Sequence, residues 1–182
     1  MERHPSPDEL GAHVSAAGGV PNAPGRAREL DASVLQLFTK MAQRWKEPDL
    51  APEITAAFRT EREAHGVRVA AAHDSYLINL ASPDPALRAR SLDSFVKELE
   101  RSRALGLEYV VTHPGAATDG DAASGLARNA EAIGLALEAV PDGPTILLEL
   151  TAGAGTCLGG TFEERIDFDP RAITAIEILQ VV

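Results

Sequence analysis

Five short apolar runs in this chain each carry, at or near their ends, side chains able to bind a cation or move a proton. His13 lies near the end of the run 10–14, Thr39 and Lys40 follow 34–38, His73 and Asp74 follow 67–72, and His113 follows 109–112. Glu149 sits inside the run 146–150, one residue before its end. Neutral imidazole nitrogen and carboxylate oxygen suit zinc and related divalent ions. Three imidazoles and a carboxylate delivered to one rim would therefore form a metal site. Each histidine also has an ordinary reading as a hydrogen-bonded structural group, and His4 and His65 are read that way. Glu149 is harder to set aside. It interrupts Ile-Leu-Leu-Glu-Leu, where a buried carboxylate without a partner is costly, so a cation or a hydrogen-bond donor must satisfy it.

The elements that must position these groups alternate between short apolar runs and helical patterns. Run starts are 24 to 42 residues apart, the span of a strand, a crossover helix and two loops. Such spacing implies parallel strands, because each crossover returns the chain to the same end of the sheet. A helix is expected over 21–30, imperfect at Pro24. Another begins at Pro52, with Ile54, Phe58 and Glu61 at helical spacing. The clearest helix opens at Asp84-Pro85, a cap followed by proline in the first turn, and stops at Gly106. Leu92, Phe95, Val96 and Leu99 form its apolar face, with Lys97, Glu98 and Arg101 among the polar residues around it. A further helix is read over 126–140, with Ile133, Leu137 and Val140 buried. An open doubly wound sheet and a barrel both fit this α/β rhythm. In either, ligands bind at the carboxyl ends of the strands. No GxGxxG follows the first strand, which weakens the dinucleotide-binding version of the open sheet.

The chain has 182 residues, 45% of them hydrophobic, enough for one well-filled core. No apolar stretch reaches the roughly eighteen residues of a membrane span. The start, MERHPSPDEL, lacks the apolar centre of a signal peptide. Cys157 is the single cysteine, which excludes an intrachain disulfide and a thiolate zinc cluster and points to a reducing, cytoplasmic setting. A net charge of −10 argues against nonspecific coating of nucleic acid. The acid is concentrated late: residues 119–182 hold 11 Asp and Glu against 3 Lys and Arg. A polyanion would meet the first two-thirds of the chain more easily.

Several motifs occur together and in order: GAHVSAAGGV at 11–20, LFTK at 37–40 with Gln43 to Trp45, HDSYLINL at 73–80, HPG at 113–115 and ELTAGAGTCLG at 149–159. HDSYLINL is highly specific, whereas HPG alone is weak. The combination resembles the endonuclease IV family of apurinic/apyrimidinic endonucleases over roughly residues 9–164. The resemblance implies a TIM (β/α)8 barrel with a trinuclear zinc site that acts in base excision repair, cleaving double-stranded DNA on the 5′ side of an abasic site. It makes His73, His113 and Glu149 zinc ligands, with Glu149 bridging two metals, and sets His13 beside the reacting groups. Glu149 and His13 are thus the catalytic candidates. It places Tyr76 and Leu77 on the segment that enters DNA at the lesion, and Lys40, Gln43 and Trp45 on a second DNA-contacting loop. Closely spaced divalent ions would neutralise the phosphodiester and acidify a water. A wedge would hold open a stack already weakened by a missing base. Read without the resemblance, Tyr76 and Leu77 look like ordinary core.

The chain departs from the family pattern in places. Leu150 replaces the usual polar residue after the glutamate, and Ala117 stands where many members have a second histidine after HPG. Met41-Ala42-Gln43 replaces a more polar or basic loop, and Gln43 offers no charge-assisted phosphate contact. A complete barrel needs roughly 250 residues, and about five βα units are legible here. No histidine follows His113, and Asp167 and Asp169 match none of the later ligand motifs. The expectation is one incomplete TIM-barrel domain over 1–182, with 1–8 as a disordered tail, 165–182 as a divergent tail, and 175–182 as a possible sixth strand. This suggests a fragment, a truncation or frameshift near residue 165, or a member reduced to another use. Three zinc ions would serve a complete enzyme and at most one well-formed site would remain here, in a monomer without membrane contact. Two further readings stand beside the endonuclease: a noncatalytic metal- or DNA-binding remnant, and a sugar isomerase or epimerase on a related barrel, since these also set His and Glu at strand ends.

Overall fold

A computed structural model describes residues 11–161. The expectations for the two tails, His4, Asp167, Asp169 and a sixth strand at 175–182 lie outside the described residues. Five strands, β1 (Gly11–His13), β2 (Val34–Leu37), β3 (Val69–His73), β4 (Tyr109–Thr112) and β5 (Thr145–Leu148), alternate with helices α1 (Ala23–Glu29), α2 (Pro52–Ala64), α3 (Pro85–Leu105) and α4 (Ala122–Ala139). All adjacent pairs are parallel, and the spatial order is the chain order, β1-β2-β3-β4-β5. This order decides between the two architectures. A doubly wound sheet reverses direction at a switch point, whereas a barrel adds each strand beside the last.

Packing gives the same answer. Leu35, Leu37, Ala70, Ala72, Val110, Ile146 and Leu148 share one core with residues from all four helices, among them Ala27, Phe58, Phe95 and Ile133. The other sheet face carries a smaller cluster of Ala71, Val111 and Leu147, with Tyr109 against it. All helices therefore cover one face, and the opposite face is the inside of a partial TIM barrel. Side chains alternate along a strand, so two residues beyond the inward positions 71, 111 and 147 come His73, His113 and Glu149.

Local signals explain several helix ends. Asp84 caps α3 by accepting from Ala86 N at 2.9 Å, and Gly106 closes it in the left-handed conformation at φ 75°. Four expectations need correction. The segment 21–30 is two pieces, a 3-10 turn at Val20–Asn22 and then α1, because Pro21 and Pro24 each favour the first turn of a new helix. Helix α4 starts at Ala122, where Asp121 accepts from Ser124 N at 3.1 Å. Strand β5 ends at Leu148, so Glu149 stands beyond it and not within it. Of the residues placed on the polar side of α3, Lys97 is partly exposed, but Glu98 and Arg101 are buried.

Among the described residues no helix is long and apolar enough to cross a membrane.

Candidate metal centre

His73 ends β3, while His113 and Glu149 immediately follow β4 and β5. The ladder continues past the strands, with Asp74 N donating to Val111 O and Glu149 N to Thr112 O, both at 3.0 Å. This backbone pairing brings the three side chains to one rim. One ligand atom from each of His73, His113 and Glu149 lies within 4.8 Å of the other two. His73 Nδ1 bonds the Asp74 carbonyl at 2.8 Å, which leaves Nε2 aimed at Glu149 Oε2, 3.2 Å away. With Nδ1 as the donor, Nε2 is the free lone pair of the neutral ring. Two donors 3.2 Å apart fit a shared cation with bonds near 2.0–2.2 Å. The donor set, two nitrogens and one oxygen, fits zinc.

Electrostatics at the rim divide the histidines. Burial, reinforced by repulsion from His73, lowers the pKa of His113 and of His13, although Glu149 opposes both shifts. Burial also pulls His73 down, but hydrogen bonds to Glu149 and the Asp74 carbonyl outweigh it, and the net shift is upward. The same contact with His73 lowers Glu149 against the effect of its own burial. Beneath the rim, burial with help from Glu98 pushes Asp74 up to about 7, against a 2.6 Å hydrogen bond from Thr112 Oγ1.

The other expected site residues divide into groups. His13 stands next to the cluster, its ring 6.4 Å from that of His73 and its Nδ1 2.9 Å from Gln36 Nε2. Tyr76 is 58% exposed, which rules out ordinary core packing, and its ring lies 5.5 Å from His73 and 6.4 Å from His113. Leu77 is half-buried beside it. Gln43 is exposed; Trp45 is half-buried, with the Arg90 guanidinium 4.4 Å above its ring. Lys40 is the exception. Its ammonium is buried and bonds Glu47 Oε1 and Ser94 Oγ, both at 2.6 Å. In this conformation it does not face a phosphate.

Phe38 escaped the sequence reading, where it looked like the end of an apolar run. Its ring packs 4.7 Å from His13 and 5.3 Å from both His73 and Tyr76. Inward alternation from Gln36 could have found it. Asn79 was also missed. Its Oδ1 accepts from Ala116 N at 2.9 Å and its Nδ2 donates to Ala116 O at 3.0 Å, tying the loop after β3 to the loop after β4.

The family model described as "Xylose isomerase-like TIM barrel" matches residues 24–169. "Probable endonuclease 4" of Chloroflexus aurantiacus is 46% identical over 155 residues, covering 85% of this chain and 54% of that protein. The crystal structure of endonuclease IV from Thermus thermophilus superposes with a TM-score of 0.78 at 35% identity, over 88% of this chain and 60% of the other. A D-psicose 3-epimerase structure superposes at 0.71 with 17% identity, over 92% and 61% of the two chains, and shows a shared fold alone. The chain spans about half the length of the curated relatives it matches. The chain belongs to the xylose isomerase-like TIM-barrel family, and proteins named as probable endonucleases 4 are among the relatives it matches.

Proposed function

We propose that this chain serves a zinc-dependent DNA repair endonuclease that cleaves the phosphodiester 5′ to abasic sites. The observation that carries this reading is the meeting of His73, His113 and Glu149 at the ends of three adjacent strands, with the exposed Tyr76 ring beside them. His73, His113 and Glu149 would hold the cation. When bound, it supplies Lewis acidity, neutralising the anionic diester and acidifying a water. The chain's own groups do the rest. The Asp74 carbonyl fixes the His73 tautomer and ring plane. His13, whose pKa is lowered by partial desolvation and the nearby His73, can accept a proton at the rim. Tyr76 and Leu77 present a wedge at the mouth of the site, suited to a stack that lacks one base. Gln43, exposed on the neighbouring loop, and Trp45, half-buried under Arg90, would complete the DNA-facing set. Lys40 is left out of this role because its ammonium is paired inside.

The likeness to endonucleases at 35% and 46% identity supports this reading over the epimerase one, for which the fold alone speaks. The test is zinc analysis of the purified chain together with incision of a duplex bearing one abasic site. One zinc ion per chain and a nick 5′ to the lesion support the proposal. Zinc binding with preference for the abasic duplex but no nick would indicate a noncatalytic binding protein. Absence of both would overturn the reading.

A further inference from the structure

Helix α3 carries an unexpected buried polar stripe. Ser94, Glu98 and Arg101 follow one another at helical spacing, and all three are more than nine-tenths buried. They pack against the loop between β2 and α2 and hold it at both ends. At its start, Thr39 Oγ1 donates to Glu98 Oε1 at 2.7 Å and accepts from Arg101 Nε at 3.1 Å. Arg101 also donates to the Thr39 carbonyl at 2.7 Å, and Lys40 Nζ donates to Ser94 Oγ at 2.6 Å. At the far end, Arg101 donates to the Pro48 carbonyl at 2.6 Å, and Ser94 Oγ donates to Glu47 Oε1 at 3.0 Å. The Lys40–Glu47 ion pair joins the two ends.

Between these anchors lies the segment 41–46, which bears Gln43 and Trp45. A third tether leads to the metal rim. The Ala42 carbonyl accepts from Ser75 Oγ at 2.7 Å and from Tyr76 N at 3.0 Å. The β2–α2 loop, the Tyr76 segment and α3 therefore form one hydrogen-bonded unit. Buried ion pairs are an expensive way to gain stability, and well-packed apolar residues often serve as well or better. What such a network does provide is a fixed geometry, because each partner's direction is specified.

We infer that Ser94, Glu98 and Arg101 are positioning residues that clamp both ends of the β2–α2 loop, so that Gln43, Trp45 and, through Ala42, Tyr76 are set in advance for the substrate. The inference rests on the proposed action at abasic DNA for its consequence, but the clamp itself can be read without DNA. Trp45 is the single tryptophan and reports on the loop directly. None of the three α3 residues is among the proposed metal ligands.

The experiment uses the full chain loaded with zinc. Arg101→Met is compared with the parent by acrylamide quenching of Trp45, by zinc affinity, and by binding to duplexes with and without a tetrahydrofuran abasic analogue. A loosened loop must be reordered at each binding event. Quenching is therefore expected to rise about twofold and abasic-duplex affinity to fall about tenfold, with zinc affinity and far-ultraviolet dichroism unchanged. Should Arg101→Met not fold, Thr39→Val removes the shared hydroxyl with little change of shape, and Thr39→Ser, which keeps it, should restore parental values. Unchanged quenching in a folded Arg101→Met or Thr39→Val protein would overturn the clamp. So would a fall in zinc affinity as large as that in DNA affinity, which would indicate general damage. A parent chain that does not prefer the abasic duplex would sink the functional reading, while the quenching comparison still decides the clamp.

Discussion

His73 and Glu149 are 76 residues apart in the chain, yet His73 Nε2 lies 3.2 Å from Glu149 Oε2. Two intervening crossovers and two parallel strand pairings deliver this contact. Each partner makes the other's charged form more favourable. With His73 protonated, Nε2–H donates to the carboxylate; in the neutral ring a shared cation would take that place.

Loss of one donor should be felt strongly in metal binding. Glu149→Gln and His113→Ala are each expected to weaken zinc affinity by more than the ~10–100-fold typical of losing a mere orienting partner. Titration against a chromophoric chelator measures this. Parental affinity in both variants would show that the cation is held elsewhere.

Tyr76 should matter more for DNA than for folding. Although its ring packs edge-on against Phe38 and His73, it is 58% exposed, and Tyr76→Ala is expected to cost stability only the ~0.5–1.5 kcal/mol of an aromatic pair. Stacking on a base is worth ~1–3 kcal/mol, so its loss should weaken abasic-duplex binding by that amount and leave intact-duplex binding nearly unchanged. Fluorescence anisotropy on the two duplexes measures the difference. Equal losses on both would assign Tyr76 to general adhesion.

The weak HPG motif has a structural reason that can be tested. Gly115 has φ 88°, and an added Cβ would collide with Asn79 Oδ1 and crowd Ala81. Gly115→Ala is expected to cost at least the ~1–2 kcal/mol of a left-handed backbone and to break the Asn79–Ala116 pairing as well. Urea denaturation measures it, and an unchanged midpoint would refute the argument.

Much of the site was legible in the sequence because it depends on strand periodicity. Polar residues after apolar runs fall at strand ends, and parallel pairing then gathers His73, His113 and Glu149. Both ends of α3 could be read from Asp84-Pro85 and Gly106, since capping is a local interaction. The start of α4 was hidden because 122–125, Ala-Ala-Ser-Gly, shows no apolar period. The roles of Lys40, Glu98 and Arg101 were hidden for a different reason. A charged residue looks solvated until a partner distant in the chain, here 54 to 62 positions away, is known to pack on it.

Glu98 should give stability a distinctive pH dependence. Burial raises its pKa above the ordinary carboxylate value, against the Thr39 hydrogen bond and the Lys40 and Arg101 charges. The folded state therefore holds the proton more tightly. Glu98's contribution is complete below the unfolded value and is lost as pH rises towards the folded one. Glu47 has the opposite shift, since its bonds to Lys40 outweigh its burial, and its contribution is lost on acidification. Glu98→Gln cannot titrate at that position, whereas Glu47 titrates in both proteins. The Gln variant should therefore gain stability relative to the parent between about pH 5 and about pH 8. Urea midpoints at the two values check this, and a constant difference would contradict it.

A cation shared by His73, His113 and Glu149 is the centre of the proposed function. X-ray absorption at the zinc edge, on the chain loaded with one equivalent, tests it most directly. The predicted spectrum has only nitrogen and oxygen neighbours at about 2.0–2.2 Å, with the outer-shell scattering of two imidazoles, and loses one imidazole in His113→Ala. A sulfur neighbour at about 2.3 Å, which Cys157 would supply, or a spectrum unchanged in His113→Ala, would contradict it.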